Sequence, residues 1–385
     1  MIMRAYTNVI LALIILCFIN NTFLSHASDT LSPNQTLSRD QTIVSSGGEF
    51  ELGFFSPGNS SKYYIGIWYR KITDKTVVWV ANREAPISDK NSALLKVSQG
   101  NLVLVNESQI EVWSTGLSTN STSSASVLLL DDGNLVLRHG SSSSLWESFD
   151  NPSHTWMPGA RIGYNKITKK KQFLTSWRNS GDPAPGLFTL QMDHNNSQYT
   201  MRRKSEQYWA SGPWDGEIFS GVPEMRTAIR QGYRFTYVDN ENESYYSYMI
   251  FDPSFIARQF LDVTGQLRQQ MWTESDWLGY WFRPRQCEVP AYCGEFGVCS
   301  EPSLPICSCL EGFKHRFEGE FGVCSEPSGG CVREDGLVCV PGKEAKDGFF
   351  MRPGMGLPRY SRLETPVGGL STLDSLLLPQ FSEAK

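Results

Sequence analysis

The sequence predicts an all-β protein with a β-prism in its N-terminal half and a disulfide-bonded module after it. Aromatic and β-branched residues recur along the 385 residues, and no long amphipathic helical pattern is present. A strand–turn–strand motif with a tryptophan occurs three times at a nearly constant interval. Eight of the nine cysteines lie between Cys287 and Cys339. The length allows two or three domains with substantial cores.

The first 27 residues have the features of a secretory signal peptide. Arg4 precedes an apolar run at 9–19, and Ser25 and Ala27 provide the small residues of a cleavage site. This run is shorter than the roughly twenty residues that a membrane-spanning helix needs, and no later stretch qualifies as a span. We therefore expect a secreted, extracellular chain.

The charge and the asparagine pattern indicate a glycoprotein that does not bind nucleic acid. A net charge of −5 provides no basic field for nucleic acid or for anionic lipid. Six asparagines after the signal have Ser or Thr two positions later, the acceptor pattern for N-glycosylation. They are Asn34, Asn59, Asn106, Asn120, Asn195 and Asn242.

The clustered cysteines predict disulfide bonds, because an exported chain folds under oxidising conditions. A metal site would need Cys-x-x-Cys pairs or nearby histidines, and His315 is the one histidine close to the cluster. We therefore expect no metal and no cofactor.

The three repeats predict sheets arranged around a pseudo-threefold axis. Copies begin with "GIWYRKITDKTVVWVANR" at Gly66, "GNLVLVNESQIEVWST" at Gly100 and "GNLVLRHGSSSSLWESF" at Gly133. Their tryptophans follow at intervals of 34 and 33 residues: Trp79, Trp113 and Trp146. A single small sheet cannot bury its apolar face, so three sheets with their indoles inward would share one core. This arrangement is a β-prism.

Several long motifs resemble one plant family. "GGEFELGFFSPG", "YIGIWY", "VVWVANRE" and "GNLVL" resemble the bulb-type, mannose-binding lectin domain of S-locus glycoproteins and S-domain receptor-like kinases. "LWESFDNPSHTWMPG", "FLTSWRNSGDPAPGLF" and "SGPWDGEIFSGVPEM" resemble their S-locus glycoprotein domain, and "CGEFGVCSEPSLPICSCLEGF" and "GGCVRE" resemble their EGF-type module. The resemblance implies tandem β-prisms, a bulb-type lectin domain at 28–149 and a second lectin-like domain at 150–282. An EGF-like module at 283–340 follows them.

The lectin resemblance also implies a mannose motif, Gln-x-Asp-x-Asn-x-Val-x-Tyr, whose named side chains share one face of a strand. The third repeat keeps Asp132, Asn134 and Val136, but Leu130 replaces the glutamine and Arg138 the tyrosine. We expect a degenerate carbohydrate site here. The alternative to any sugar function is that Asp132 and Asn134 bond to nearby backbone in a turn.

The other two repeats match the mannose motif less well. The second keeps only Asn101 and Val103. The first keeps no position, and its five residues are Tyr63, Ile65, Ile67, Tyr69 and Lys71. One hydrogen bond contributes about 0.5–1.5 kcal/mol, so losing two polar positions costs about 1–3 kcal/mol, one to two decades in affinity. We expect a lectin fold that binds mannose weakly or not at all.

Catalytic motifs are absent from the sequence. It contains no Gly-x-Ser-x-Gly, His-Glu-x-x-His or phosphate-binding glycine loop, and "DGF" at 347–349 has the wrong order for the magnesium-binding triplet of kinases. The histidines are scattered, as solvated surface histidines are. We therefore expect no enzymatic activity. Full-length receptors of the family carry a transmembrane segment and a kinase domain, and neither is recognisable here.

The family resemblance implies recognition of a protein or peptide ligand, since S-locus ectodomains recognise small cysteine-rich pollen ligands. A receptor-like kinase is a further candidate partner, and homodimer formation is left open. Two segments have the aromatic and arginine composition of interface anchors. Their candidate residues are Arg202, Arg203, Lys204, Trp277, Tyr280 and Trp281. The alternative is a solvated basic hairpin, with aromatics that fill the junction with the EGF-like module.

The EGF-type resemblance implies a disulfide pattern, Cys287–Cys299, Cys293–Cys307 and Cys309–Cys331. Cys324 competes with Cys331 for Cys309, but "GGCVRE" matches the family at Cys331. Cys324 and Cys339 are then left to pair or to stay free. Calcium is not expected, because "RPRQC" lacks the acidic residues of calcium-binding modules.

The C-terminal part departs from the family pattern. "GEFGVCSEPS" at 294–303 recurs unchanged at 319–328, and 341–385 has only a truncated start of a PAN-type domain and a tail that we expect to be disordered. These features indicate a truncated, recombined or mis-spliced product. Three functions remain: a secreted recognition protein, which we favour, a mannose-type lectin, and an inert remnant of a receptor-like kinase ectodomain.

Overall fold

The computed structural model describes residues 28–118, 125–140, 144–193, 195–252, 254–316, 329–335 and 355–356. These residues are almost entirely strand and turn, which confirms the all-β prediction. Among them are one α-helix, α1 (Met225–Arg230), and a 3-10 turn at Gln286–Glu288. The predicted signal peptide, the sequon at Asn120, Cys324, Cys339 and the predicted tail, apart from 355–356, lie outside the described residues.

Three antiparallel four-stranded sheets form the first prism. Sheet 1 contains β1 (Thr30–Leu31), β10 (Ala125–Leu129), β11 (Leu135–His139) and β12 (Ser144–Glu147). Sheet 2 contains β2 (Thr36–Leu37), β7 (Leu94–Ser98), β8 (Asn101–Val105) and β9 (Glu111–Ser114). Sheet 3 contains β3 (Thr42–Val44), β4 (Phe50–Phe55), β5 (Tyr64–Tyr69) and β6 (Val77–Val80). The N-terminal strands β1 and β2 thus complete sheets whose other strands come later in the chain.

The repeat tryptophans occupy equivalent places in the three sheets. Each lies on the fourth strand, opposite an aliphatic residue of the third strand, and a register shift follows: Trp79 opposite Ile67, Trp113 opposite Leu104 and Trp146 opposite Leu137. The three indoles meet edge to face, with ring centroids 5.8–6.2 Å apart. The prediction of three sheets around a shared indole cluster is therefore confirmed.

The alignment of the first repeat on its glycine is wrong. Gly100 and Gly133 lie in turns, with φ of +74° and +86°, whereas Gly66 lies inside β5. The paired positions of the first repeat, 67 and 79, are twelve apart, against nine in the other two sheets. The β5–β6 connection therefore has three additional residues. Because of this insertion, Gly66 is not the structural equivalent of Gly100 and Gly133, although the tryptophans keep their spacing of 34 and 33 residues.

Three further four-stranded sheets form the second prism. Sheet 4 contains β13 (Thr155–Trp156), β22 (Ala257–Leu261), β23 (Leu267–Trp272) and β24 (Trp277–Arg283). Sheet 5 contains β15 (Lys171–Gln172), β14 (Arg161–Asn165), β21 (Glu243–Ile250) and β20 (Tyr233–Asp239). Sheet 6 contains β16 (Leu174–Asn179), β17 (Asp182–Asp193), β18 (Gln198–Arg203) and β19 (Glu206–Ala210). Where the two domains divide remains a prediction.

The two prisms contact each other through sheet 3, whose strands β5 and β6 are buried on both faces. On its outer face, Phe55 and Trp68 belong to a small apolar cluster against which Trp177 of the second prism packs. The Trp79 indole N–H donates to the Asn151 carbonyl (2.8 Å). Burial on both faces explains why "YIGIWY" and "VVWV" read as continuous apolar runs.

Two small hairpins and three disulfides form the C-terminal module. The hairpins pair β25 (Gly297–Cys299) with β26 (Cys307–Cys309) and β27 (Phe313–His315) with β28 (Cys331–Arg333). The disulfides are Cys287–Cys299, Cys293–Cys307 and Cys309–Cys331, the pairs that the resemblance implied. His315 lies beside the last pair. That group is unsuited to a metal, because a sulfur in a disulfide is not a thiolate ligand.

Candidate functional site

The polar residues of the third repeat lie at the β10–β11 turn and bond to their own chain. The Asn134 backbone N–H donates to Asp132 Oδ1 (2.9 Å), and Asn134 Nδ2 donates to Glu147 Oε2 (2.9 Å). Asn134 Oδ1 accepts from Ser148 Oγ (3.1 Å) and from the Phe149 N–H (3.2 Å). Asn134 is buried, whereas Asp132 is exposed. The amide that a sugar would need is thus engaged at both its oxygen and its nitrogen.

Asn101 has the same surroundings in sheet 2. Its Oδ1 accepts from Thr115 Oγ1 (2.8 Å) and the Leu117 N–H (2.7 Å), and its Nδ2 donates to the Leu117 carbonyl (3.0 Å). Val103 and Val136 are both buried. Each asparagine therefore connects the start of the third strand of its sheet to the segment that follows the fourth strand, which carries the tryptophan. Its amide group thus stabilises the fold.

The register of sheet 3 changes the comparison of the first repeat with the mannose motif. Aligned on the tryptophan pairing, the five motif positions are Ser60, Lys62, Tyr64, Gly66 and Trp68, and not the five residues at 63–71. None of the five matches the motif. The first repeat therefore still offers no mannose motif, although the residues assigned to it from the sequence alone were wrong.

The basic run lies at the end of β18 and in the turn to β19. Lys204 has φ of +56°, its N–H donates to the Leu187 carbonyl (2.7 Å), and its side chain is exposed. Arg202 Nη1 donates to the Ser205 carbonyl (2.9 Å), and Arg202 and Arg203 are half-buried. The turn thus presents one exposed cation beside two arginines that are partly covered by the chain.

The candidate aromatic anchors have different surroundings. The Trp277 indole N–H donates to Thr76 Oγ1 of the first prism (2.9 Å), and its ring lies 5.6 Å from that of Tyr69. Trp277 therefore lies at the junction of the two prisms. Trp281 and Tyr280 line a cavity of the second prism.

Strand β24 also exposes apolar side chains that the sequence did not single out. It is the outer strand of sheet 4, with β23 as its neighbour. Leu278 is 53% exposed, Phe282 40% and Tyr280 39%. An outer strand has unpaired backbone groups, and exposed large apolar side chains concentrate at interfaces. "WLGYWFR" is apolar up to its last residue, but the sequence could not show which of its side chains are buried.

The five predicted glycosylation sites among the described residues lie in polar turns or connections between strands. Asn34, Asn59, Asn195 and Asn242 are exposed, and Asn106 is half-buried. Their glycosylation remains a prediction.

Comparison with known proteins identifies the family. Residues 76–178 match the D-mannose binding lectin family, and residues 209–317 match the S-locus glycoprotein domain. The S-locus-specific glycoprotein S6 of Brassica oleracea is 36% identical over 342 residues, which cover 86% of this chain and 76% of that protein. The chain belongs to the S-locus glycoprotein family. The two matched domains are non-catalytic, and this membership supports a role in recognition.

Receptor kinases are relatives of this S-locus glycoprotein family member over part of their length. A G-type lectin S-receptor-like serine/threonine-protein kinase of Arabidopsis thaliana is 44% identical over 352 residues, 89% of this chain. The chain spans 42% of that kinase, so it corresponds to about two fifths of such a relative. Scilla campanulata agglutinin, a two-domain lectin, aligns with a TM-score of 0.23 and 14% identity over 66% of this chain and 87% of its own. Among the described residues, no helix has the length and hydropathy of a membrane span.

Proposed function

We propose that this S-locus glycoprotein family member is an extracellular, non-enzymatic recognition protein that binds a protein or peptide ligand, alone or with a receptor-like kinase. Family membership supports the recognition role. One observation carries the proposed surface: the outer strand β24 exposes Leu278, Tyr280 and Phe282. A peptide that added a strand here would pair the free backbone groups of β24 and cover its apolar side chains.

We also propose that the lectin-type prism is a framework and not a mannose site. The amide groups of Asn101 and Asn134 are already hydrogen-bonded within the chain. A sugar hydroxyl would have to compete with these bonds, and the exchange of one hydrogen bond for another brings little net free energy. Asp132 remains exposed, and a single exposed carboxylate supports weak binding of a mannose-type glycan at most.

A titration with defined probes tests both proposals. The purified glycoprotein is immobilised and titrated with a panel of synthetic small cysteine-rich secreted peptides, and with mannose in parallel. We expect at least one peptide to bind with Kd below about 10 µM, and mannose to bind with Kd above about 1 mM. Submillimolar mannose binding would restore the lectin function, and the absence of any peptide ligand would remove the support for the recognition surface.

Two double variants locate the peptide surface. Leu278→Ser with Phe282→Ser removes exposed apolar area from β24, and peptide binding should weaken at least about tenfold. Ile110→Ser with Ile167→Ser is the matched control, because these isoleucines are 61% and 68% exposed elsewhere on the molecule. Equal loss in both double variants would show that β24 is not the binding surface.

A further inference from the structure

A cavity of about 370 Å³ lies in the second prism. Its floor is formed by the rings of Trp156, Tyr199, Phe219 and Tyr246, which pack with centroid separations of 5.0–5.5 Å. All four side chains are at most 4% exposed. The volume falls near the lower end of the range for small-molecule sites, roughly 300–1,000 Å³.

The cavity takes the place of an indole cluster like that of the first prism. Trp209 lies opposite Met201 and Trp281 opposite Gln269, and a register shift follows each pair, as it follows each tryptophan pair of the first prism. Both indoles line the cavity. Sheet 5 has an unshifted register between β20 and β21 and contributes the smaller ring of Phe235. Sheet 5 therefore has no tryptophan pair like those of the other sheets, and a smaller ring lies at the cavity.

Three polar atoms of residues that line the cavity are buried without a hydrogen-bond partner. They are Tyr199 Oη, Tyr246 Oη and Glu224 Oε2. The other carboxylate oxygen of Glu224 pairs with the Arg283 guanidinium. Buried polar atoms are nearly always paired in native proteins, so three unpaired atoms around one cavity can each accept or donate a bond to a molecule that enters it.

The cavity opens between α1 and β24. Ala228 of α1 lines it, together with the exposed residues Thr227 and Gln231. Across from the helix, Tyr280 also lines it and is 39% exposed. A small molecule can therefore enter from the surface, although the floor is buried.

We propose that this cavity binds a neutral, small aromatic molecule of about a dozen non-hydrogen atoms that carries an N–H or O–H donor. Its ring packs among the aromatic side chains of the floor. Its donor bonds Glu224 Oε2, which can only accept, and the hydroxyls of Tyr199 and Tyr246 bond any further polar group. A neutral molecule fits better than a cation, because Arg283 already balances the charge of Glu224.

Isothermal titration with indole and 1-methylindole tests the proposal. The two probes share a ring system, but 1-methylindole lacks the N–H donor. We expect saturable one-to-one binding of indole and at least about tenfold weaker binding of 1-methylindole, because a charged acceptor would lose its partner. Equal affinities, or no saturable binding of indole up to about 5 mM, would overturn the proposal.

Matched variants assign the binding to the cavity. Tyr246→Phe removes one unpaired hydroxyl and should weaken the binding of a second, phenol-bearing probe, 4-hydroxyindole, by about two- to tenfold. Tyr237→Phe removes a hydroxyl that bonds Ser197 (2.9 Å) outside the cavity, and should leave this affinity unchanged. Ala228→Phe fills the entrance and should abolish binding of indole. If thermal melting shows that Ala228→Phe does not fold, the comparison of the two tyrosine variants decides, and equal effects of both contradict the assignment.

This site shares Tyr280 with the proposed peptide surface, but not Leu278 or Phe282. The double variant Leu278→Ser with Phe282→Ser should retain indole binding, because neither residue lines the cavity. Loss of peptide binding with retained indole binding would separate the two sites. Loss of indole binding in this folded double variant would contradict the position proposed for the small-molecule site.

Discussion

Replacing Arg83 by methionine tests how the two prisms are joined. Arg83 follows β6 of the first prism, and its guanidinium donates to three carbonyls of the second prism. The bonds are Nε to Pro183 (2.6 Å), Nη2 to Ser176 (2.7 Å) and Nη2 to Thr175 (3.1 Å). Burial lowers the pKa of Arg83 to about 10, so it stays charged at neutral pH. Methionine keeps an unbranched apolar side chain but has no donor.

The expected loss of stability follows from these three contacts. Depriving a buried acceptor of its donor costs about 1–3 kcal/mol. The sum over three carbonyls is an upper limit, because the variant no longer has to bury a guanidinium and because water can reach part of the exposed carbonyl surface. We expect Arg83→Met to lower the free energy of unfolding by about 2–4 kcal/mol.

Urea unfolding, followed by tryptophan fluorescence and by circular dichroism, measures this loss. Arg39→Met is the control, because Arg39 is exposed in the first prism, and its effect should stay within about 0.5 kcal/mol. Separation of the two probes' transitions in Arg83→Met alone would show that the prisms then unfold independently. A loss below about 1 kcal/mol would refute the argument that the Arg83 contacts join the prisms.

Three further changes have defined outcomes in the same unfolding assay. Trp79→Ala should cost about 3–5 kcal/mol, because a buried indole that contacts both other indoles is removed; a cost below 1 kcal/mol would show that the cluster is dispensable. Burial lowers the pKa of His154 well below 6.5, so acidification below pH 6.5 protonates the unfolded chain preferentially and destabilises the fold. His154→Gln should remove this loss of stability on acidification, and the exposed control His139→Gln should retain it. Tyr248→Phe should cost about 1–3 kcal/mol, because the Tyr248 hydroxyl donates to the buried Trp156 carbonyl (2.8 Å). Tyr246→Phe removes an unpaired hydroxyl and should cost less than about 0.5 kcal/mol. Equal costs of the two variants would contradict the hydrogen-bond assignment.

The first prism could be predicted because its repeat is visible in the chain. Trp79, Trp113 and Trp146 recur at nearly constant spacing, and each must reach the same axis for three small sheets to bury a common core. The alignment of Gly66 with Gly100 and Gly133 was wrong, because the β5–β6 connection is three residues longer than those in the other two sheets. The second prism has no comparable visible repeat, and only the family resemblance predicted it.

The surroundings of the candidate site residues could be predicted less well than the fold. Asn101 and Asn134 are compatible with a sugar motif in the sequence, but their amides are used by partners that follow the next strand. Trp277 has the composition of an interface anchor, yet its indole N–H reaches Thr76 across the junction. Residue type and spacing cannot show such engagement, because the partner belongs to another segment.

The sequence by itself determined the strand-rich character, the threefold repeat, the cysteine-rich module and the family, because these depend on local composition and on spacing along the chain. The tertiary structure alone decided which polar groups are engaged, which apolar side chains of β24 remain exposed, and that a cavity replaces an indole cluster in the second prism. These properties depend on contacts between residues as far as 201 positions apart, as between Thr76 and Trp277, and such residues meet only when the chain is folded.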